Sequence, residues 1–256
     1  MLQSLYPALI VAYRQFLSWR TNWRTFLLLR LLEPMIFFYG IGIGFGKFVN
    51  DMQGVPYMTF LLPGSVCMTA MFSGLFEGTH NAYSRAYMQR TWFSFLATPT
   101  RIHHILAGEL GFHNFKMLIS ATLLICAGLI VGVKLAPVGT LLAIPFVLLT
   151  TTSVAAVGYL YMSFVKSMGD FDYMWALVMT PMMVFSGAMV DVSVYPEVIQ
   201  GLAHIMPLYH GLQIVRPLML GTADFSQVAL HGTILVAITV LCLWLAHHRL
   251  TRAILA

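Results

Sequence analysis

Long apolar runs dominate the chain, and short segments between them hold most of the polar and charged residues. A membrane-spanning helix needs about 20 consecutive, mainly apolar residues. Runs of that length predict six spans, at 26–47, 57–80, 106–133, 138–163, 172–190 and 227–248. We therefore predict an all-α, polytopic membrane protein that forms a single transmembrane domain over residues 1–256.

Two further segments have a helical pattern that is not typical of a span. In residues 5–20, apolar positions recur at helical spacing opposite polar ones, which predicts a helix lying in the membrane interface. Trp19 and Trp23 suit the level of the lipid headgroups. Residues 191–226 are apolar but broken by prolines and glycines, which predicts a re-entrant pair of short helices on the outer side. Such backbone is tolerated in a membrane only where protein or a water-filled cavity satisfies it.

Composition supports the membrane assignment. Hydrophobic residues make up 59% of the chain and charged residues 9%, whereas a soluble domain carries roughly 25% charged residues. Six spans leave no room for a soluble catalytic domain. Most Lys and Arg fall in segments that are cytoplasmic if both termini are cytoplasmic, and the outer loops hold only Lys47, Lys134 and Arg216. The net charge of +5 follows from this bias, so we predict no nucleic-acid partner.

Two patterns resemble ligand sites but lack the required spacing. The glycine-rich run at 40–47 does not have the Walker A spacing, and no strand precedes it. Its Gly40/Gly44 and Gly42/Gly46 pairs predict close helix packing instead. The adjacent histidines at 103–104 and 247–248 point in different directions on a helix, so we predict no metal site.

The loop between the second and third spans has the most informative pattern. Residues 83–98 predict a short amphipathic helix that ends at a proline. It is either another interfacial helix or a surface that docks a partner, and its large apolar area on the cytoplasmic side favours docking. The candidate docking residues are Arg85, Met88, Arg90, Trp92 and Phe95.

Ionisable residues near or inside the spans are functional candidates by default. Glu33, Glu77 and Glu109 lie near the inner ends of the first three spans, and Lys116 shares a helix face with Glu109. They are expected to form an inner-interface charge network that holds the helices in register, or that transmits motion from the loop to the spans; a proton relay is a third reading. The candidate basic partners are Arg30, Arg85 and Arg101.

Several short motifs, taken in order along the predicted topology, carry a family resemblance. They lie at 60–64, 77–87, 89–92, 96–99, 107–109, 180–181, 185–188, 207–208 and 216–221. On these residues the chain resembles the ABC-2 type exporter permeases. Within that family it is similar to the NodJ-like members, which work with an ATPase to export lipo-chitooligosaccharides. It departs from its relatives at 189–192, where they tend to have a Phe-Pro pair. This departure concerns the shape of the outer exit and therefore the substrate.

The resemblance implies an assembly of two permease copies with two ABC ATPase chains beneath them, in the bacterial inner membrane. ATP and Mg would bind the ATPase, so this chain is expected to be no enzyme and to hold no cofactor. Residues 83–98 correspond to the family's coupling helix. The substrate path would follow the dimer interface, lined mainly by spans 1, 2 and 5. The aromatic and methionine candidates there are Phe37, Phe38, Phe72, Phe76, Met179 and Phe185.

The main functional hypothesis is ATP-driven export of an amphipathic glycolipid or lipo-oligosaccharide. The alternative is efflux of a small hydrophobic drug or antibiotic by the same machinery. An intramembrane enzyme would need a group of catalytic side chains within a span, and the sequence shows no convincing one. A secondary transporter would be expected to show internal repeats or ionisable groups near the midplane, and only Lys116 has a candidate position.

Overall fold

The computed structural model describes residues 2–48 and 51–255, without the side chains of residues 2–5, 26, 27, 29–31, 33 and 255. This part of the chain is almost entirely helical. Its α-helices are α1 (Leu2–Thr21), α2 (Trp23–Gly46), α3 (Tyr57–Phe76), α4 (Thr91–Leu96), α5 (Ile102–Ile130), α6 (Pro137–Met162), α7 (Phe171–Met174), α8 (Thr180–Phe185), α9 (Glu197–Ala203), α10 (Pro207–Leu220) and α11 (Phe225–Leu255). The strands β1 (Asp51–Met52) and β2 (Val55–Pro56) form an antiparallel hairpin before α3.

Four helices in the described part of the chain are long and apolar enough to cross a membrane. They are Tyr57–Met88, Ile102–Ile130, Pro137–Met162 and Phe225–Ile254, and they coincide with the second, third, fourth and sixth predicted spans. The first predicted span falls on α2, and the fifth falls on α7, α8 and the π-helical turn Trp175–Met179 between them. The all-α, polytopic class is therefore confirmed, and the number six stays a prediction.

The second span is longer than its sequence pattern predicts. After Phe76 the helix continues through two π-helical segments, Glu77–Asn81 and Ser84–Met88. At the end of the second segment the amide of Gln89 donates to the carbonyl of Ser84, five residues back, at 2.8 Å. Arg90 then adopts a left-handed conformation, and α4 begins. The predicted helix over 83–98 is thus split between the extended span and α4, because periodicity cannot show where the backbone changes its hydrogen-bond register.

The centre of the bundle is α3, whose side chains are nearly all buried. It lies against α6 with backbone touching backbone at Gly74 and Gly78. A Cβ atom at either glycine would fall within 3.0 Å of a carbonyl oxygen of α6, that of Thr151 or of Ala155. Small residues allow this close approach, which membrane helices use in place of a hydrophobic driving force.

The glycines of the first span pack differently from the prediction. A Cβ atom at Gly40 or Gly44 would meet no described atom within 4 Å, so this pair makes no close contact with the part of the chain that the structure describes. Gly42 faces the Met58 side chain of α3 at 3.1 Å. Sequence spacing identified residues suited to close packing, but the close helix contacts in the described chain use other glycines. Gly74 and Gly78, on α3 and its π-helical extension, lie against α6, and Gly139 of α6 lies against the Leu218 carbonyl of α10.

Residues 191–226 contain two short helices, α9 and α10, and their re-entrant placement in the membrane stays a prediction. The second packs against α3, α6 and α11. It carries Arg216, which the sequence had placed in an outer loop but which is only 8% exposed. Its Nη2 donates to the carbonyls of Gly187 and Ala188 at 2.8 and 3.1 Å, and its guanidinium lies 3.8 Å from the centroid of the Phe60 ring. We call this end of the bundle, with the β-hairpin, the outer end, and the opposite end, with α4, the inner end.

Candidate functional site

Several charged and polar side chains are buried together at the inner end, between the π-helical extension of α3 and the helices α4, α5 and α6. Isolated charges are too costly to bury, so a cluster of this kind must be paired and hydrogen-bonded throughout. We call it the buried charge network. It consists of Glu77, Asn81, Arg85, Trp92, Glu109, His113, Lys116 and Tyr159.

Arg85 bridges the two glutamates of the network. Its Nε and Nη2 donate to the two carboxylate oxygens of Glu109 at 2.6 and 2.9 Å, in the paired geometry that suits a guanidinium. Its Nη2 also donates to Oε1 of Glu77 at 2.7 Å. One side chain therefore ties the end of the second span to α5.

Glu77 is fully buried and has further partners on its second oxygen. Oε2 accepts from Nδ2 of Asn81 at 3.1 Å and from Nζ of Lys116 at 3.2 Å. Nδ1 of His113 lies 3.2 Å from the same oxygen. Four polar side chains therefore surround a carboxylate that has no access to water.

The charges of the network balance. Two carboxylates, Glu77 and Glu109, face two basic side chains, Arg85 and Lys116. Protonation of His113 would add a positive charge beside Glu77. This balance explains how the inner end can hold four ionised groups away from solvent, because each charge has an opposite charge within 4 Å.

Glu109 also connects the network to α4 and α6. The indole nitrogen of Trp92 donates to its Oε1 at 2.9 Å, and the hydroxyl of Tyr159 donates to its Oε2 at 3.1 Å. Trp92 is the first large side chain of α4. The short helix that follows the second span is thereby fixed to α5 by a charge-assisted hydrogen bond.

Local sequence explains why these groups meet. On α5, His113 and Lys116 follow Glu109 by four and seven residues, so all three lie on one helix face. On the extension of α3, the π-helical turn begins at Glu77. Each π turn accommodates an extra residue and changes the direction of the side chains after it, and such turns often occur at functional sites.

The predicted docking residues divide into two groups. Trp92, expected on the apolar face of the helix, is completely buried, and the Arg85 guanidinium is held inside the network. A docking role for these two residues stays a prediction. Met88 is 64% exposed and Arg90 is also exposed. Phe93, which the periodicity did not select, is 41% exposed because α4 restarts with a new register after the left-handed Arg90.

An apolar groove runs between α1 and α4 beside these residues. It has a volume of about 670 Å³, and its lining includes Tyr6, Ile10 and Phe95. Arg14 of α1 joins its two sides, since its Nη2 donates to the Thr91 hydroxyl at 3.2 Å and its guanidinium lies 5.9 Å from the Phe95 ring centroid. The helices α1 and α4 thus form one surface.

The structure tests only one of the other predicted network members, Arg101. The side chains of Glu33 and Arg30 lie outside the described residues. Arg101 is exposed at the start of α5, where its backbone amide donates to Nδ1 of His104 at 3.2 Å. Of the three basic partners considered from the sequence, the structure therefore brings Arg85 to the glutamates.

The predicted path residues differ in burial, although Phe37, Phe38, Phe72 and Met179 belong to one hydrophobic cluster. Phe38 and Met179 are buried in the core of the chain, whereas Phe37, Phe72 and Phe185 are partly buried. Phe76 is more exposed and stacks on His80, with ring centroids 4.9 Å apart; Trp175 meets Phe76 edge-on at 6.2 Å. A path along these residues stays a prediction.

Three network residues were not predicted from the sequence. His113 had a usable signal, because it lies one helical turn beyond Glu109 and before Lys116 on the same face. Asn81 lies one turn beyond Glu77 and had the same signal. Tyr159 had none, since an aromatic residue inside an apolar span is usually taken for packing, and only the fold shows that its hydroxyl reaches Glu109.

These features define a polytopic helical membrane protein in which the short helix α4 is joined by buried charges to the spans. The family model for ABC-2 type transporters matches residues 8–220. The chain therefore belongs to the ABC-2 type transporter family, as its sequence motifs indicated.

Curated relatives support the same assignment. The chain is 32% identical over 243 residues to Nodulation protein J of Sinorhizobium fredii, which covers 95% of this chain and 92% of the relative. It is 34% identical over 214 residues to Nodulation protein J of Rhizobium leguminosarum bv. trifolii, with 81% and 79% covered. It is also 26% identical over 223 residues to the inner membrane transport permease YadH of Escherichia coli, with 81% and 82% covered. The chain is thus a membrane transport component, and permeases of this family generally work with an ABC ATPase.

Proposed function

We propose that this chain is the membrane-spanning subunit of an ATP-driven exporter in the bacterial inner membrane. Two copies would pair, and two ABC ATPase chains would dock on their cytoplasmic side. The distribution of Lys and Arg supports an orientation with both termini in the cytoplasm. The open face at Gly40 and Gly44 of α2 offers a place where a second copy could approach closely.

The docking surface in this proposal is the groove between α1 and α4 with its exposed rim. Met88 and Phe93 present apolar side chains beside the charged Arg90. An exposed apolar area next to a charge is typical of a protein contact site. The ATPase would bind here and move α4.

The observation that carries the proposal is the hydrogen bond from Trp92 to Glu109. Through it, α4 is connected to α5, and through Arg85 and Tyr159 to the second span and α6. A movement of the docked surface would therefore act on three membrane helices at once. The network would transmit the movement of the ATPase to these membrane helices, and it would also hold the helices in register.

We propose an amphipathic glycolipid or lipo-oligosaccharide as the cargo. The relatives named Nodulation protein J support this substrate class, and the aromatic and methionine side chains in the predicted path would suit sugar rings and alkyl chains. The cavity that would hold the cargo belongs to the paired assembly rather than to one chain.

The docking surface is tested by co-purification of the ABC ATPase with variants of this chain. We expect Met88→Ala combined with Phe93→Ala to lower the recovered ATPase at least about fivefold, since alanine truncation of an important interface residue costs more than about 1 kcal/mol. Phe225→Ala is the matched control, because Phe225 is also exposed but lies at the outer end. Full recovery of the ATPase with the double variant would show that the ATPase does not dock on α4.

The cargo is tested by mass spectrometry of membrane lipids from cells with and without the gene. We expect a lipid-linked saccharide to accumulate in the inner leaflet of deletion cells. An unchanged lipid profile together with new sensitivity to a hydrophobic drug would replace the glycolipid by the drug-efflux alternative. Transport that survives without any ATPase would contradict the ATP-driven mechanism itself.

A further inference from the structure

A second cavity lies at the inner end, on the other side of Arg14 from the apolar groove. It has a volume of about 320 Å³ and is enclosed by α1, the π-helical extension of α3 and the first half of α5. Three cations line it, Arg14, Arg85 and Lys116, and its remaining polar lining is made of amide, hydroxyl and indole groups. As far as the described residues show, its lining includes no Asp or Glu.

The lining consists of hydrogen-bond donors. Nε2 of Gln15 is buried and makes no hydrogen bond within the described chain, although it belongs to a residue that lines the cavity. Arg85 uses Nε and Nη2 for its glutamates, which leaves the N–H groups of Nη1 for another acceptor. Asn81 and Ser84 also line the cavity, but they are already engaged, since Nδ2 of Asn81 donates to Glu77 and Oγ of Ser84 accepts from Nε2 of Gln89. Donors without partners are costly when buried, so the cavity is built to hold an acceptor.

The local charge is positive. The two glutamates behind the cavity, Glu77 and Glu109, are already neutralised by Arg85 and Lys116. Arg14 has no carboxylate within 4 Å in the described chain; its hydrogen bond goes to the Thr91 hydroxyl. Its charge is therefore available to an anion, and oxyanions such as phosphate are the ligands that guanidinium and amide donors bind best.

The position of the cavity indicates where the anion comes from. The cavity is lined by Trp19 of the interfacial helix and by Phe112 of α5. Beside it, Phe115 of α5 is exposed on the surface of a predicted span. A phosphate in the cavity would lie at headgroup level, and its alkyl chains could follow the apolar surface of α5.

We propose that this cavity binds the phosphate of an anionic lipid headgroup from the inner leaflet. The lipid would hold α1 against the inner ends of the second and third spans, next to the docking surface. This inference does not depend on the cargo or on the direction of transport. It depends on α1 lying in the membrane interface.

The test is native mass spectrometry of the full chain, purified in detergent and mixed with phosphatidylglycerol or phosphatidylcholine. We expect wild-type protein to retain one phosphatidylglycerol per chain in preference to phosphatidylcholine. Gln15→Glu keeps the shape of the side chain but adds an anion to the cavity, so we expect retention to fall at least tenfold. Gln227→Glu, an exposed position at the outer end, is the matched control and should bind as wild type does.

Two further measurements make the outcome decisive. Gln15→Leu removes the free donor without adding charge, and we expect a smaller loss of phosphatidylglycerol than in Gln15→Glu; it also serves if the charged variant fails to fold. Inorganic phosphate is added as a competitor. If millimolar phosphate displaces the lipid completely, the site takes a soluble anion and the lipid assignment is overturned. Equal retention by wild type and Gln15→Glu, or no preference over phosphatidylcholine, overturns the site altogether.

Discussion

The two ends of the bundle each bury an arginine, but they hold it in opposite ways. At the inner end, Arg85 is paired with two carboxylates, and Lys116 completes the charge balance. At the outer end, Arg216 donates to two backbone carbonyls and lies over the ring of Phe60, and among the described residues no carboxylate is within 4 Å of it. One arginine is part of an ion network, and the other is solvated by neutral dipoles and a π face.

The difference shows how each end can respond to force. Removing one member of an ion network leaves an uncompensated buried charge, which costs far more than the pair contributes. Such a cluster resists separation, so helices joined by it move together. A cation on neutral partners leaves only unpaired carbonyls when it moves away, which costs much less. We therefore expect the helices of the inner end to move together and those of the outer end to separate more easily.

Replacing either arginine by methionine should give the largest difference in stability between the two ends. We expect Arg85→Met to lower the free energy of unfolding by about 3–5 kcal/mol, because Glu109 then has no cationic partner in a buried site. Arg216→Met should cost only about 1–2 kcal/mol, since methionine can fill much of the same volume and two carbonyls lose a donor. Both values would be measured by SDS titration of the purified chain in detergent micelles.

A double variant checks the cause of that effect. Arg85→Met combined with Glu109→Gln removes both opposite charges, so its loss should be clearly smaller than the sum of the two single losses. Additive losses would mean that Arg85 acts through packing rather than charge. A loss at Arg216 equal to that at Arg85 would contradict the contrast between the ends.

Close glycine contacts allow a second comparison of the inner and outer ends, this time between backbone atoms. A Cβ at Gly78 would collide with the Ala155 carbonyl inside the α6 helix, and one at Gly64 would collide with the Ala188 carbonyl, in the non-helical segment after α8. A helix cannot yield locally, whereas an irregular segment can. We expect Gly78→Ala to cost about 2–3 kcal/mol, in the upper part of the range for overpacking, and Gly64→Ala about 1 kcal/mol.

Gly40→Ala is the control for both variants in the same SDS titration. Its Cβ would meet nothing within 4 Å, so the purified monomer should be unaffected or slightly stabilised by the lower backbone entropy of the unfolded chain. If Gly78→Ala is as neutral as Gly40→Ala, the close approach of α3 to α6 does not contribute to stability.

The sequence was sufficient for the class of fold and for part of the network. Apolar run length identified the long helices, because lipid imposes that length on any span. Charge near apolar segments identified Glu77, Glu109 and Arg85, because such residues need partners in the membrane. These predictions depend on composition along the chain, which the sequence shows directly.

The direction of side chains around α4 could not be predicted in the same way. A regular helix over 83–98 would put Met88, Trp92 and Phe95 on one face. The π turns and the left-handed Arg90 rotate the chain between Met88 and Trp92, so the tryptophan points inward and Phe93 outward. Backbone irregularities of this kind follow from tertiary contacts, here the hydrogen bond of Trp92 to Glu109, and periodicity carries no sign of them.

Removing the hydrogen bond from the Trp92 indole to Glu109 should lower the free energy of unfolding by less than the inner-end arginine and Gly78 substitutions do. Trp92→Phe keeps an aromatic ring in the buried site but removes the donor to Glu109, so we expect a cost of about 1.5 kcal/mol, the low end for a hydrogen bond to a charged group. The comparison at the outer end is Tyr57→Phe, which removes a hydroxyl that lies 3.5 Å from the Met189 carbonyl. A bond that long is weak, and we expect less than about 0.5 kcal/mol.

The same pair of variants separates docking from transmission. Met88 and Phe93 are unchanged in Trp92→Phe, so the ATPase should co-purify at the wild-type level while cargo-stimulated ATP hydrolysis falls. Tyr57→Phe should leave both quantities unchanged. Loss of the ATPase from Trp92→Phe would show that the bond positions the dock and does not transmit its movement.

The smallest expected effects lie at exposed aspartates, where the two ends should behave alike. Asp170, in the turn after α6, accepts from the amides of Lys166 and Ser167 at 3.0 Å, and these bonds lower its pKa from the ordinary value of 3.8. Asp224, before α11, accepts from the hydroxyl and amide of Ser226 at 2.7 and 3.0 Å, which lowers its pKa likewise.

A lowered pKa means that the folded state favours the ionised form, so this contribution to stability is present above pH 3.8 and is lost as the pH falls through the folded pKa. Asp170→Asn and Asp224→Asn should each be slightly less stable than wild type at pH 7, and the difference should shrink at pH 3 in thermal unfolding of the purified chain. A difference that stays constant over this range at either aspartate would show that its carboxylate charge does not contribute, and that the inner and outer ends differ in their exposed turns as well as in their buried arginines.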